Sequence, residues 1–294
     1  MVQIGKATIG EEKIREYEPY MYKGVIDERL KRVQEAYDRW QKTRTFEFPT
    51  WLYGQPLGKL FKVEVEDSPT FGETSWLEFD SARTAFFCID MQGWAWLLYD
   101  KQGYDTKLID APIQPIKNCL DTVRKTDMKV VHFREGHRPD LADCPFRKSY
   151  INKVVGKGMT FGSEDPGGCG RIATRGHPNH DTISEVYPIP GEYIVDKSGK
   201  GAFHHSDILQ LLLNMFPPPT HLILTGITTD VCVHTIMREA NDFGFWCLLL
   251  KDCTGSTDWE NHLSAIKQVK MRGGVFGWVS DSQRFLEGVE ANLA

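Results

Sequence analysis

Three side chains that could act together on a carbonyl carbon follow three separate apolar runs in this 294-residue chain. A carboxylate, Asp90, follows the run 84–89. An ammonium, Lys197, follows 192–195. A thiol, Cys232, closes the turn that follows 221–225. A thiolate is a strong nucleophile, and a neighbouring cation or a helix N-terminus favours it over the thiol. Lys197 would supply the cation, and a helical run over 231–242 would supply the helix end. A carboxylate in reach can take the thiol proton and return it to a leaving amine. The turn 226–232 can aim backbone N–H groups at a developing oxyanion.

These residues need elements to bring them together. From residue 84 onward, short apolar runs alternate with helical patterns. Strands are expected over 84–89, 129–133, 192–195, 221–225, 245–250 and 275–279, and helices over 111–126, 208–214, 231–242 and 260–271. Strand–helix alternation at this spacing implies a parallel sheet covered by helices on both faces, a three-layer α/β domain built with right-handed crossovers. In such sheets ligands bind beyond the carboxyl ends of the strands, which is where Asp90, Lys197 and Cys232 fall. The stretch 135–190, rich in Pro and Gly, reads as a surround for that edge.

The first eighty residues read differently. Ile26, Leu30, Val33, Tyr37 and Trp40 recur at helical spacing and form one apolar stripe over 24–42. Residues 43–80 read as loop. The expected division is an N-terminal extension, 1–80, and a catalytic domain, 81–294. The uncovered stripe suggests a homo-oligomer, dimer or tetramer.

Composition narrows the function classes. With 40 acidic residues against 35 Lys plus Arg there is no basic excess to hold a phosphate backbone, so nucleic acid is not an expected partner. No apolar run approaches the roughly 20 residues of a membrane span, and the charged start has no signal-peptide core. A small-molecule substrate and a cytoplasmic location are expected. The seven cysteines show no C-x-x-C pair, which leaves a zinc ribbon or dithiol site without support.

The segments Phe87-Cys88-Ile89-Asp90-Met91-Gln92, Val195-Asp196-Lys197-Ser198-Gly199-Lys200-Gly201-Ala202-Phe203 and Leu224-Thr225-Gly226-Ile227-Thr228-Thr229-Asp230-Val231-Cys232 resemble the isochorismatase-like cysteine hydrolase family. The likeness extends over residues 82–290 and is strongest to biuret hydrolases and their ureido-amide relatives. It implies a mainly parallel six-stranded sheet and an Asp90–Lys197–Cys232 triad. It also implies a cis peptide at Ile227–Thr228, with Thr228 and Cys232 as oxyanion donors. The implied activity is hydrolysis of a small linear ureido compound with release of ammonia. Gln92, Phe203 and Arg272 are the candidate substrate-binding residues.

Relatives acting on biuret carry Gln where this chain has Arg272, and a guanidinium there would suit a carboxylate. An N-carbamoyl acid or ureidoacrylate is therefore the alternative substrate. The metal-binding members of the family have an Asp-x-His run where this chain has Glu135-Gly136-His137. His177 and His180 alone do not complete a ligand set, so neither metal nor cofactor is expected. More distant alternatives are a thiol redox sensor, with Cys253 as resolving cysteine, and a non-catalytic binding scaffold.

Overall fold

The computed structural model describes residues 2–4, 7–9, 23–66, 74–271 and 274–293. The chain forms two compact units, Met1–Glu47 and Phe48–Ala294. The smaller unit holds an antiparallel pair, β1 (Val2–Ile4) and β2 (Ala7–Ile9), then helix α1 (Lys23–Thr43) and a two-residue strand, β3 (Thr45–Phe46). The apolar stripe of α1 is formed as its spacing predicts, and Ile26, Leu30, Val33 and Tyr37 are all exposed on it.

The larger unit opens with one helical turn, α2 (Thr50–Tyr53), and an antiparallel hairpin of β4 (Leu60–Val65) and β5 (Ser75–Asp80). The reading of 43–80 as loop is corrected here. Phe61, Val63 and Val65 are buried while Leu60 and Lys62 are exposed, a period-2 alternation that the nearby Pro and Gly obscure. Where the sequence reading placed a boundary after residue 80, this hairpin belongs to the larger unit.

The six-stranded sheet comprises β6 (Thr84–Ile89), β7 (Lys129–Glu135), β8 (Tyr193–Lys197), β9 (His221–Ile227), β10 (Trp246–Gly255) and β11 (Trp278–Ser280). Every pairing in it is parallel, and the order across the sheet is β11-β10-β9-β6-β7-β8. The chain builds outward in one direction through β6, β7 and β8, then returns and builds the other way from β9. The direction reverses between β6 and β9, and a crevice opens at the carboxyl ends of strands at such a switch point. Asp90 leaves β6 and Cys232 follows β9, so the topology sets two of the three candidate groups at the crevice.

Both central strands are buried along their whole length, which accounts for their mostly apolar character. Helices α3 (Gly93–Gln102), α4 (Lys107–Asp110), α5 (Ile113–Val123), α6 (Phe146–Val155), α7 (Ile208–Asn214), α8 (His234–Asp242), α9 (Trp259–Val269) and α10 (Ser282–Glu290) complete the unit. Ile208 and Leu212 of α7 and Ile236, Met237 and Ala240 of α8 join one apolar cluster with Phe87, Phe133 and Leu224. Two of the expected element bounds shift in ways that matter to the site. Strand β7 runs two residues past Phe133, to Glu135, and Cys232 lies in a π-helical turn, Thr229–Val233, ahead of α8.

Candidate active site

Asp90 takes a left-handed backbone conformation (φ 52°) that Asp tolerates better than most residues, and the chain turns sharply there off β6. Across the crevice Gly226 (φ 110°) brings β9 so close that a Cβ would stand 2.0 Å from the Ile89 carbonyl oxygen. Only glycine fits. The next peptide, Ile227–Thr228, is cis, as the resemblance implies.

Lys197 Nζ lies 2.8 Å from Asp90 Oδ2, and both side chains are closed to solvent. The ammonium also donates to the carbonyl oxygens of Gly199 (2.9 Å) and Lys200 (3.4 Å). A fourth and unanticipated group completes the cluster. Cys232 Sγ donates to Glu135 Oε2 at 3.7 Å, and one donor atom from each of Asp90, Glu135 and Cys232 falls within 4.8 Å of the others. Glu135 is buried and accepts from two more lysines, Lys148 (2.6 Å to Oε1) and Lys200 (2.8 Å to Oε2). A carboxylate–thiol cluster of this size could hold a metal ion. Here Asp90 already faces Lys197, and Glu135 already accepts from Lys148 and Lys200, so ammonium groups supply the positive charge that a metal would bring.

The two carboxyl groups are pushed in opposite directions. Burial raises Asp90 above the ordinary carboxylate range, against the pull of Lys197. Burial acts on Glu135 too, but Lys200, Lys197 and Lys148 together hold it well below that range. A pair of carboxyls separated in this way has divided roles. Asp90 is the one suited to gain and lose a proton, and Glu135 stays ionised. Burial would discharge Lys197, yet the Asp90 and Glu135 carboxylates outweigh it and keep it charged. Burial also raises the Cys232 thiol, against Lys197. Burial exceeds the help that Lys197 gives toward the thiolate, so the thiol needs a base within reach.

The remaining candidates fall elsewhere in the network. Gln92 is fully buried, and its side-chain amide is committed to backbone. Its Oε1 accepts from Glu135 N (2.7 Å), and its Nε2 donates to the carbonyl oxygens of Glu135 and His180. It fixes Glu135 instead of offering a free amide to a substrate. The Phe203 ring stacks on Phe243 (5.2 Å between centroids) and packs near Phe245 in the core. Arg272 lies outside the described residues. Cys253 Sγ faces Cys119 Sγ at 3.8 Å, both buried, so its near neighbour is another core thiol.

The loop after β8 is held from behind. Glu239 of α8 accepts from the backbone N–H groups of Ala202 (2.8 Å) and Phe203 (2.9 Å), and a Cβ at Gly201 would stand 2.1 Å from its Oε1. This contact sets the path of the loop that carries Lys200.

The fold is a doubly wound parallel α/β layer, and its switch-point crevice holds an acid, an ammonium and a thiol. The Isochorismatase domain family matches residues 84–284, and the chain belongs to that family. The ureidoacrylate amidohydrolase RutB of Pantoea ananatis is 27% identical over 218 residues, covering 72% of this chain and 84% of the relative. The RutB protein of Cronobacter turicensis is 25% identical over 226 residues, covering 72% and 91%. Among solved structures, a cysteine hydrolase from Pseudomonas syringae pv. phaseolicola aligns with a TM-score of 0.58 at 19% identity, over 72% of this chain and 95% of that one. N-carbamoylsarcosine amidase from Thermoplasma acidophilum aligns with a TM-score of 0.51 at 17% identity, over 68% and 96%. Among the described residues no helix is long and apolar enough to cross a membrane.

Proposed function

We propose that this protein is a cysteine-dependent amidohydrolase that cleaves a C–N bond of a small ureido compound. The observation that carries the reading is the Asp90–Lys197 pair at 2.8 Å in one crevice with the Cys232 thiol. The sulfur attacks the carbonyl carbon while its proton passes to Asp90. The oxyanion takes the backbone donors of Thr228 and Cys232. Collapse breaks the C–N bond, the amine leaves with the Asp90 proton, and an S-acyl enzyme remains. Water then adds, again giving its proton to Asp90, and releases the acid and the thiol. The relatives named for ureidoacrylate and N-carbamoylsarcosine support a ureido substrate class.

Within that class a biuret-like neutral compound is one candidate. A monoanion such as ureidoacrylate or an N-carbamoyl acid is favoured by a charge count. Three ammonium groups (Lys148, Lys197 and Lys200) face two carboxyls (Asp90 and Glu135), so the cluster is one positive charge in excess when both carboxyls are ionised. Arg272 would add to that excess if it reaches the crevice. Ammonia release by the purified protein, compared across biuret, ureidoacrylate and N-carbamoyl amino acids, is the deciding experiment. We expect turnover of the carboxylated compounds, and no ammonia from any of them would reject the reading. The exposed stripe of α1 supports assembly as a dimer or tetramer, which light scattering tests.

A further inference from the structure

Glu135 reaches the thiol with one oxygen and a lysine with the other. Its Oε2 is the oxygen 3.7 Å from Cys232 Sγ, while its Oε1 is 2.6 Å from Lys148 Nζ. The same ammonium stands 3.4 Å from His137 Nε2 and 4.7 Å from the centroid of the Phe161 ring. A carboxylate oxygen, an imidazole nitrogen and an aromatic face thus surround one positive charge. Each is a group that stabilises a cation. Because an ammonium only donates, Nε2 must accept, which assigns the His137 proton to Nδ1, the nitrogen 3.3 Å from Asp143 Oδ1. Burial and the facing Lys148 hold this imidazole below its ordinary value, in keeping with a neutral ring.

Lys148 comes from α6, a helix with no buried residue. Its outer side exposes Phe146, Tyr150 and Val154, and its Lys148 side chain is only 22% exposed. The lysine thus reaches inward, with the half-buried Ser149 and Asn152, from a helix that rests on the surface.

We propose that Lys148 is a positioning residue that supplies a tethered cation to the crevice: seated among Glu135, His137 and Phe161, its ammonium fixes the Glu135 carboxylate beside the Cys232 thiol. Lys200 also holds Glu135, at 2.8 Å from Oε2 and 3.0 Å from Oε1, so Oε1 is shared between the two lysines with Lys148 the nearer. With Lys148 gone, Glu135 keeps Lys200 and loses the shorter of its two lysine bonds at Oε1, while His137 is left with an unused acceptor.

The proposal rests on the amidohydrolase reading for its kinetic readout, so a second readout free of substrate is included. Wild type, Lys148→Met and Lys148→Ala are compared for steady-state turnover and for the rate at which iodoacetamide alkylates Cys232. The variants' far-ultraviolet circular dichroism should match wild type, since α6 contributes nothing to the core. We expect kcat to fall about ten- to a hundredfold, the loss of one charge-assisted hydrogen bond, with KM changed far less. Alkylation should slow as well. Added methylammonium should restore both rates in Lys148→Ala, while tetramethylammonium, which cannot donate a hydrogen bond, should not. Lys148→Arg should retain a larger share of kcat than Lys148→Met. Unchanged kcat and alkylation in Lys148→Met would overturn the proposal, as would equal rescue by both ammonium ions. If wild type turns over no ureido compound, the alkylation and rescue measurements still decide the role of Lys148.

Discussion

The Asp90 carboxylate and the Lys197 ammonium lie 2.8 Å apart with both side chains closed to solvent. Neither charge stands alone, which a buried ion requires. The pair also explains how a buried carboxyl can serve as a base. Lys197 keeps the charged form accessible, and burial keeps proton return to a leaving amine within reach. Replacing Asp90 with Asn keeps the shape and removes the proton acceptor. We expect a loss of about 10²–10⁴ in kcat, the usual range for general acid–base catalysis. Alkylation of Cys232 should slow in parallel. Equal alkylation rates in the two proteins would separate Asp90 from the thiol.

Cys232→Ser should leave the melting temperature within a degree or two of wild type and abolish turnover. The hydroxyl has about the same size but resists ionisation far beyond what Asp90 can draw off. Activity at a tenth of wild type would remove Cys232 from the mechanism.

Glu239 lies behind the site yet shapes it, because its Oε2 accepts two backbone N–H groups of the loop that carries Lys200. Glu239→Gln weakens charge-assisted bonds whose worth is about 1.5–3 kcal/mol each. We expect a lower melting temperature together with a raised KM. A variant with unchanged kinetics would mean that the loop holds its path without Glu239.

Acid stability has two identifiable sources. Glu192 accepts from His132 (2.9 Å) and Arg124 (2.8 Å), and these bonds overcome burial and hold its carboxyl down to about 2. His221 is pushed down to about 3 by burial alone. A lowered folded-state value means stability present above the unfolded value and lost as pH falls through the folded one. Stability should therefore decline from near pH 6.5 through about pH 3 for His221, and from near 4.5 through about 2 for Glu192. Glu192→Gln should lower stability at pH 7 and cost almost nothing near pH 2. Urea titrations at a series of pH values would show it, and a cost independent of pH would assign the effect to packing.

Arg272→Gln tests the substrate alternative. Carboxylated substrates should lose about ten- to a hundredfold in affinity, and neutral biuret should be unaffected or improved. Equal effects on charged and neutral substrates would make Arg272 structural.

The groups legible in the sequence were those at strand ends inside distinctive motifs. Asp90 and Cys232 are placed by the apolar runs 85–89 of β6 and 222–224 of β9, each of which ends sharply. Glu135 is hidden because the apolar run ends at Phe133, although Arg134 and Glu135 continue β7; a carboxylate at a strand's carboxyl end is the available signal. Lys148 gave no signal, since α6 buries no side chain and so carries no inward-facing apolar stripe to mark it as a helix. Gln92 and Phe203 were sequence neighbours of catalytic candidates, but proximity along the chain did not set direction. Gln92 bonds to the Glu135 backbone, and Phe203 enters the core.

Helix α6 has a thermal consequence. It buries nothing, and besides Lys148 its ties include the Thr160 hydroxyl donating to the Ser149 carbonyl oxygen at 2.8 Å. Segments held by so few contacts open well below the free energy of global unfolding. Warming should therefore detach Lys148 from Glu135 while the parallel sheet is still intact. Enzymatic inactivation and cooperative melting would then be two separate events, the first reversible on cooling and the second marking the loss of the core.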